Sequence, residues 1–152
     1  MRLPLFIGKL SYLFGYPFIR LWLWRSHRVY VLLVVDDAIL VSKNWLGLHK
    51  RWRMPGGGAH QGEDEKVALE REVQEELGIQ LDVSQAQQLT PQPVRSKKGY
   101  SYSVYTLKLA QQPQLVVNQA EIVATAWIQR DILKKTAMSS ELSKALQLLA
   151  QY

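Results

Sequence analysis

Residues 56–79 read GGGAHQGEDEKVALEREVQEELGI, and the rest of the chain is read outward from them. Helix formers dominate residues 63–77, acids crowd the first turn where the helix dipole favours them, and Gly78 ends the helix as a C-terminal cap. Glu72, Glu75 and Glu76 stand at i, i+3 and i+4, so three carboxylates share one face within one turn. The apolar row Leu69, Val73 and Leu77 is turned roughly 100° away. Such a helix packs one side on a sheet and shows its acids to a cleft. Like charges at that spacing destabilise a helix, which calls for something positive beside them. Hard divalent cations take oxygen ligands and suit a carboxylate cluster that also receives a phosphate. By itself, though, an acid-rich helix is most often a solvated face.

On either side, strand and helix signals alternate without repeats or a linker. Residues 29–35 are an almost unbroken β-branched and apolar run; Asp36-Asp37-Ala38 turns it into a second run at 39–42, which reads as a hairpin. Residues 43–50, KNWLGLHK, read as a loop, and 51–54 as a short strand ended by Pro55 and three glycines. Further strands are expected at 79–83, 88–94, 100–109 and 124–128. A last helix is expected from Ser139 or Ser140 as N-cap, with Leu142, Ala145, Leu146 and Leu149 on one stripe. The pattern predicts a single mixed α/β domain.

Composition narrows the function classes. With 152 residues, 47% apolar and 21% charged, the chain is of ordinary globular make-up and not disordered, collagen-like or multispan. The absence of cysteine excludes disulfides, thiolate metal sites and cysteine nucleophiles, and suits a reducing, cytoplasmic setting. The net charge of +6 is localised: Arg2, Lys9, Arg20, Arg25 and Arg28 precede the first acid, Asp36, so the remainder is almost neutral. No specific nucleic-acid partner is therefore expected of the domain. Residues 1–28 read as an amphipathic, apolar and basic helical extension ahead of a domain at 29–152. Leu3, Phe6, Ile7 and Leu10 recur at helical spacing, and Pro17 breaks the run. Packing on the domain or on a second copy, attachment to a membrane surface, and true anchoring are its three readings.

The spacing around the glutamates is more specific than their number. Gly57, five residues, Glu63, seven residues, Arg71-Glu72-Val73, one residue, Glu75-Glu76, one residue, Gly78-Ile79 satisfy G-x5-E-x7-R-E-U-x-E-E-x-G-U, with U aliphatic. A chance match is on the order of 10⁻¹⁰ per starting position at average residue frequencies. The chain thus resembles the Nudix hydrolase family, which the Trp52-to-Gly57 entry and the flanking strands also suit. The resemblance implies an α/β/α sandwich with a mixed sheet, and Mg²⁺- or Mn²⁺-assisted hydrolysis of a nucleoside diphosphate linked to another group. It makes Glu72, Glu75 and Glu76 catalytic metal-binding carboxylates. Gly56 would offer a backbone carbonyl, Glu63 support for the metal, and Glu121, six residues ahead of Trp127, a further acid. Arg71 would hold the carboxylates by salt bridges, with Gly57 and Gly78 shaping the loops; Glu72 is taken as the base.

Outside that motif the signals are weaker. Arg51, Arg53 and His60 are candidate substrate contacts, His60 standing where many relatives carry an acid. Arg95, Lys97 and Lys98 beside Gly99 read as an exposed turn, and Trp45, Trp52, Tyr100 and Tyr102 as stacking or packing aromatics. Pro91 and Pro93 lean toward nucleotide-sugar or ADP-ribose substrates, against which stand nucleoside triphosphates, including oxidised ones. A non-catalytic Nudix-fold binding module is the alternative from another class.

Overall fold

The β-branched run near residue 30 forms β1 (His27–Val35), which turns through Asp36 (φ 52°) into β2 (Ala38–Asn44) with Val35 opposite Ala38. The short side chain of aspartate tolerates that left-handed backbone. The computed structural model describes residues 26–45 and 51–151. β1 runs parallel to β5 (Ser101–Lys108), from His27 opposite Ser101 to Val34 opposite Lys108, and β2 runs antiparallel to β6 (Ile122–Gln129). Two short strands, β3 (Gln87–Gln88) and β4 (Val94–Arg95), both pair with β5. The sheet is mixed, in the order β3-β5-β1-β2-β6.

Alternation along β1 divides the core. Val29, Val31 and Leu33 meet Ala68, Leu69, Val73 and Leu77 of α1 (Glu65–Leu77) on one face. Leu32 and Val34, with Ile39 and Val41, meet Leu142, Ala145 and Leu146 of α3 (Ser140–Leu149) on the other. Helices thus cover both faces, the layering expected from the sequence; each buried leucine such as Leu69 contributes about 2 kcal/mol over leaving it in water. Asp64 caps α1 by accepting from the N–H groups of Lys66 and Val67, and Gly78 closes it at φ 66°. Ser139 caps α3 through Leu142 N–H. A short α2 (Arg130–Leu133) follows β6, an element without a periodic signal.

The hairpin pairs only near its turn. Below it, residues 53–59 run between the two strands: Val31 N–H donates to Pro55 O (3.1 Å), Val29 N–H to Gly57 O (2.9 Å) and Ala59 N–H to His27 O (2.9 Å). On the other side, Ser42 and Arg53 exchange bonds of 3.0 and 2.9 Å. This inserted segment carries the three glycines into the sheet beside α1.

Several expectations change. Residues 51–54 form single bridges to Ser42 and Met138 instead of a strand, because each edge offers only one partner residue. Residues 79–83 form no ladder: Ile79 and Leu81 are buried in the α1-side core, and a 3-10 turn follows at Val83–Gln85. The expected strand at 88–94 breaks into β3 and β4 around Pro91 and Pro93, which lack the N–H a ladder needs. Lys43 and Asn44 extend β2, and His27 and Arg28, counted with the extension, open β1. Residues 46–50, with His49 and Lys50, and residues 1–25, which hold most of the expected extension, lie outside the described residues.

Candidate active site

The inserted glycines lie against α1. Gly56, at φ 122°, donates its N–H to Glu76 Oε2 at 3.0 Å, and a Cβ there would collide with the carbonyl oxygen of Val29. Gly57 abuts Glu72 so closely that an added Cβ would fall 2.6 Å from the carboxyl carbon. Two consecutive glycines therefore let backbone reach two carboxylates one helical turn apart.

Arg71 supplies the positive partner that the acid spacing called for. Its Nε and Nη2 donate to the two oxygens of Glu63, each at 2.9 Å; Nη2 also reaches Gly58 O at 2.9 Å, Nη1 reaches Glu72 Oε1 at 2.9 Å, and Glu75 Oε2 lies 3.5 Å away. Glu63 also accepts His60 N–H at 2.7 Å, and with the Arg71 fork this holds its carboxyl down to about 2. The same bonds raise Arg71 above its ordinary value.

The next two carboxylates behave oppositely. Burial raises Glu72, with added repulsion from Glu75 and Glu121, while Arg71 opposes the shift. Glu76, 4% exposed, is pushed up to about 7 chiefly by burial and further by Glu72 and Glu121, against the Gly56 N–H and the Asn44 side chain. Glu121 is exposed, yet its charge reaches both acids. Its loop is pinned to the end of α1 by Val116 N–H to Leu77 O (2.8 Å) and Asn118 N–H to Glu76 O (3.0 Å), and Asn118 Nδ2 donates to Glu121 Oε1 at 3.3 Å.

Glu63, Glu72, Glu75, Glu76, Arg71, Gly56 and Gly57 thus come together, with Glu121 in electrostatic range. His60 takes part through its backbone, Arg51 is exposed, and the backbone of Arg53 pairs with Ser42. Lys97 and Lys98 stand exposed in a turn closed by Gly99 N–H to Ser96 O at 3.0 Å. Tyr100 and Tyr102 are buried, and Lys43 stacks 4.1 Å over the Trp52 ring. Asn44 and Asn118 carried no signal in the sequence, since neither lies in a motif; Asn44 meets Glu76, and the Asn118 N–H meets Glu76 O, only through tertiary packing.

All the converging donors are oxygens, and the burial that raises Glu72 and Glu76, with the repulsion added to it, is what a hard cation offsets. Among the described residues no three His, Cys, Asp or Glu side chains form a ready-made metal cage. Arg71 reaches Glu63, Glu72 and Glu75, the last at 3.5 Å and the most exposed of the three.

Residues 24–149 match the family model of the NUDIX domain, and the chain belongs to that family. Among individual proteins it is similar to Nudix hydrolase 25 of Arabidopsis thaliana, 41% identical over 49 residues; that match spans 32% of this chain and 28% of the plant protein's length. Solved structures share the fold. A MutT NUDIX hydrolase from Burkholderia pseudomallei superposes with TM-score 0.65 at 21% identity, over 82% of this chain and 97% of its own. A C. elegans Ap4A hydrolase gives 0.67 at 19% identity, covering 82% and 96%. The E. coli dihydroneopterin triphosphate pyrophosphohydrolase gives 0.65 at 20% identity, covering 80% and 92%.

Proposed function

We propose that this chain is a pyrophosphohydrolase, dependent on Mg²⁺ or Mn²⁺, that cleaves a nucleoside diphosphate linked to another moiety by attack of water at phosphorus. The observation that supports the reading is the pair of mutually repelling carboxylates, Glu72 and Glu76, sheltered against Gly57 and Gly56. Glu72, Glu75 and Glu76 would hold the cation, with the Gly56 carbonyl, Glu63 and Glu121 completing or supporting the set. A cation held there would supply charge neutralisation of the diphosphate and a lowered pKa for the attacking water. Glu72, against Gly57 and braced by Arg71, accepts the proton from that water. Arg71 keeps Glu63 and Glu72 oriented through the cycle. Arg51, Arg53 and His60 are the substrate contacts this reading offers for test.

The first substrates to try are nucleotide sugars and ADP-ribose-like dinucleotides. Nucleoside triphosphates are the second reading, favoured by the fold shared with a dihydroneopterin triphosphate pyrophosphohydrolase. A panel of both classes with Mg²⁺ or Mn²⁺, scored for nucleoside monophosphate and released phosphate, decides between them. Retained turnover in Glu75→Gln and Glu76→Gln would remove the site assignment; tight binding without turnover across the panel would identify a binding module.

Cytoplasmic residence is part of the proposal, with residues 1–28 resting on a membrane surface, on the domain or on a second copy. No helix among the described residues is long and apolar enough to cross a membrane. Liposome co-sedimentation of the full chain against one starting near Arg28 tests the membrane contact.

A further inference from the structure

Glu65, in the first turn of α1, belongs to no part of the glutamate motif, yet its carboxylate is the most heavily contacted on the helix apart from the Arg71 clamp. Its Oε1 lies 2.8 Å from His27 Nε2 and accepts from Ser103 Oγ at 2.9 Å, while Oε2 accepts from Tyr105 OH at 2.6 Å. His27 Nδ1 in turn lies 2.9 Å from Ser101 Oγ. The donors belong to β1 and β5, neighbours whose register places His27 opposite Ser101. Ser103 is fully buried, and burial with the Glu65 carboxylate pushes the Tyr105 hydroxyl above its ordinary value, keeping it a donor.

The position of Glu65 on the helix gives these bonds leverage. Residues 65, 72 and 76 lie within about 40° of one another around the axis, so Glu65 shares a rail with Glu72 and Glu76, roughly 10 and 16 Å further along. A roll of about 20° moves a carboxylate about 6 Å from the axis by about 2 Å. Apolar packing of Ala68, Leu69 and Val73 is non-directional and selects the roll less sharply than hydrogen bonds do. Three directional bonds to two strands add that selection at the start of the helix. The far end of α1 is held by its backbone bonds to residues 116 and 118 and by the Gly56 N–H on Glu76.

We propose that Glu65 is a positioning residue, a carboxylate anchor that sets the roll of α1 and thereby delivers Glu72 and Glu76 to the glycines. Its kinetic consequence rests on the hydrolytic reading above; its structural consequence does not. The test compares full-length wild type with Glu65→Gln, the milder Tyr105→Phe, and Leu149→Ala as a stability control on the opposite face. The readouts are Mn²⁺ affinity from free-Mn²⁺ resonance, amide exchange of residues 65–73, and kcat and KM. Glu65→Gln is expected to weaken Mn²⁺ binding about fivefold, to lower kcat about tenfold with KM within about twofold, and to speed exchange in the first two turns. Tyr105→Phe gives a smaller change in the same direction, and Leu149→Ala lowers only the melting temperature. Unchanged Mn²⁺ affinity and kcat in Glu65→Gln, or the same losses in Leu149→Ala, would overturn the proposal. If the wild type shows neither turnover nor Mn²⁺ binding, the hydrolytic reading fails; exchange at residues 65–73 then decides the anchor by itself, unaltered rates refuting it.

Discussion

Replacing Glu76 by Gln should make the metal-free protein more stable and catalytically inert. The Glu76 carboxyl is pushed from 4.5 to about 7 in the folded chain, chiefly because it is buried. At about 1.4 kcal/mol per pH unit, the folded state disfavours the ionised form by about 3 kcal/mol. Its sign follows from proton counts: between pH 4.5 and 7 the folded chain holds this proton more tightly than the unfolded chain, so stability falls as pH rises through that window. Glutamine removes the charge, keeps an oxygen for the Gly56 N–H, and ends the repulsion between this position and Glu72. Urea denaturation in EDTA should show Glu76→Gln ahead of wild type by about 3 kcal/mol at pH 8 and by less than about 1 kcal/mol at pH 5. Glu63 does not blur this window. Its depressed value gives stability that is present above 4.5 and lost only as pH falls toward 2. Saturating Mg²⁺ should then stabilise wild type, by about 2.7 kcal/mol at a hundred times its dissociation constant, and the variant far less. A variant no more stable than wild type at pH 8, or with the same slope between pH 5 and 8, would refute the claim that this carboxylate is held buried under repulsion.

Other substitutions probe the remaining parts of the site. Arg71→Lys keeps the charge but loses the fork on Glu63 and the bond to Gly58 O, and should cost about 1–3 kcal/mol in chemical denaturation together with most of the turnover. Gly57→Ala drives a methyl into the Glu72 carboxyl; kcat should fall about a hundredfold with KM little changed, and a kcat within twofold of wild type would show that Glu72 has room to move. Gly78→Ala imposes a left-handed backbone on a side chain and a contact 2.7 Å from Val116, and should cost about 1–3 kcal/mol, read as a lower melting temperature.

The sequence was most legible where one local rule decides the outcome. A nearly unbroken β-branched and apolar run predicted β1 and β2, Gly78 stops α1 as its left-handed backbone allows, and Ser139 caps the last helix. It was least legible where partners come from far along the chain. Residues 79–83 have the residue types of a strand but pair with none of the described strands, and Ile79 and Leu81 serve as core beside α1. Residues 51–54 pair on both sides one residue at a time, a pattern visible only once Ser42 and Met138 are in place. For the same reason Asn44 and Asn118, remote from any motif, were missed as partners of Glu76.

The linear sequence by itself determined the family, the identity of the clustered carboxylates and the arginine that offsets them, because those depend on spacing along one helix. Tertiary structure alone decided which acids are strained. Glu63, Glu72 and Glu76 are chemically alike in the sequence, but Arg71 and the His60 N–H make the first strongly acidic, whereas burial between α1 and the glycine segment holds the other two toward their neutral form. The desolvation of a charge is set by what the chain packs around it, and the residues that surround Glu76 come from β2, from the glycines inserted into the sheet, and from the loop before β6.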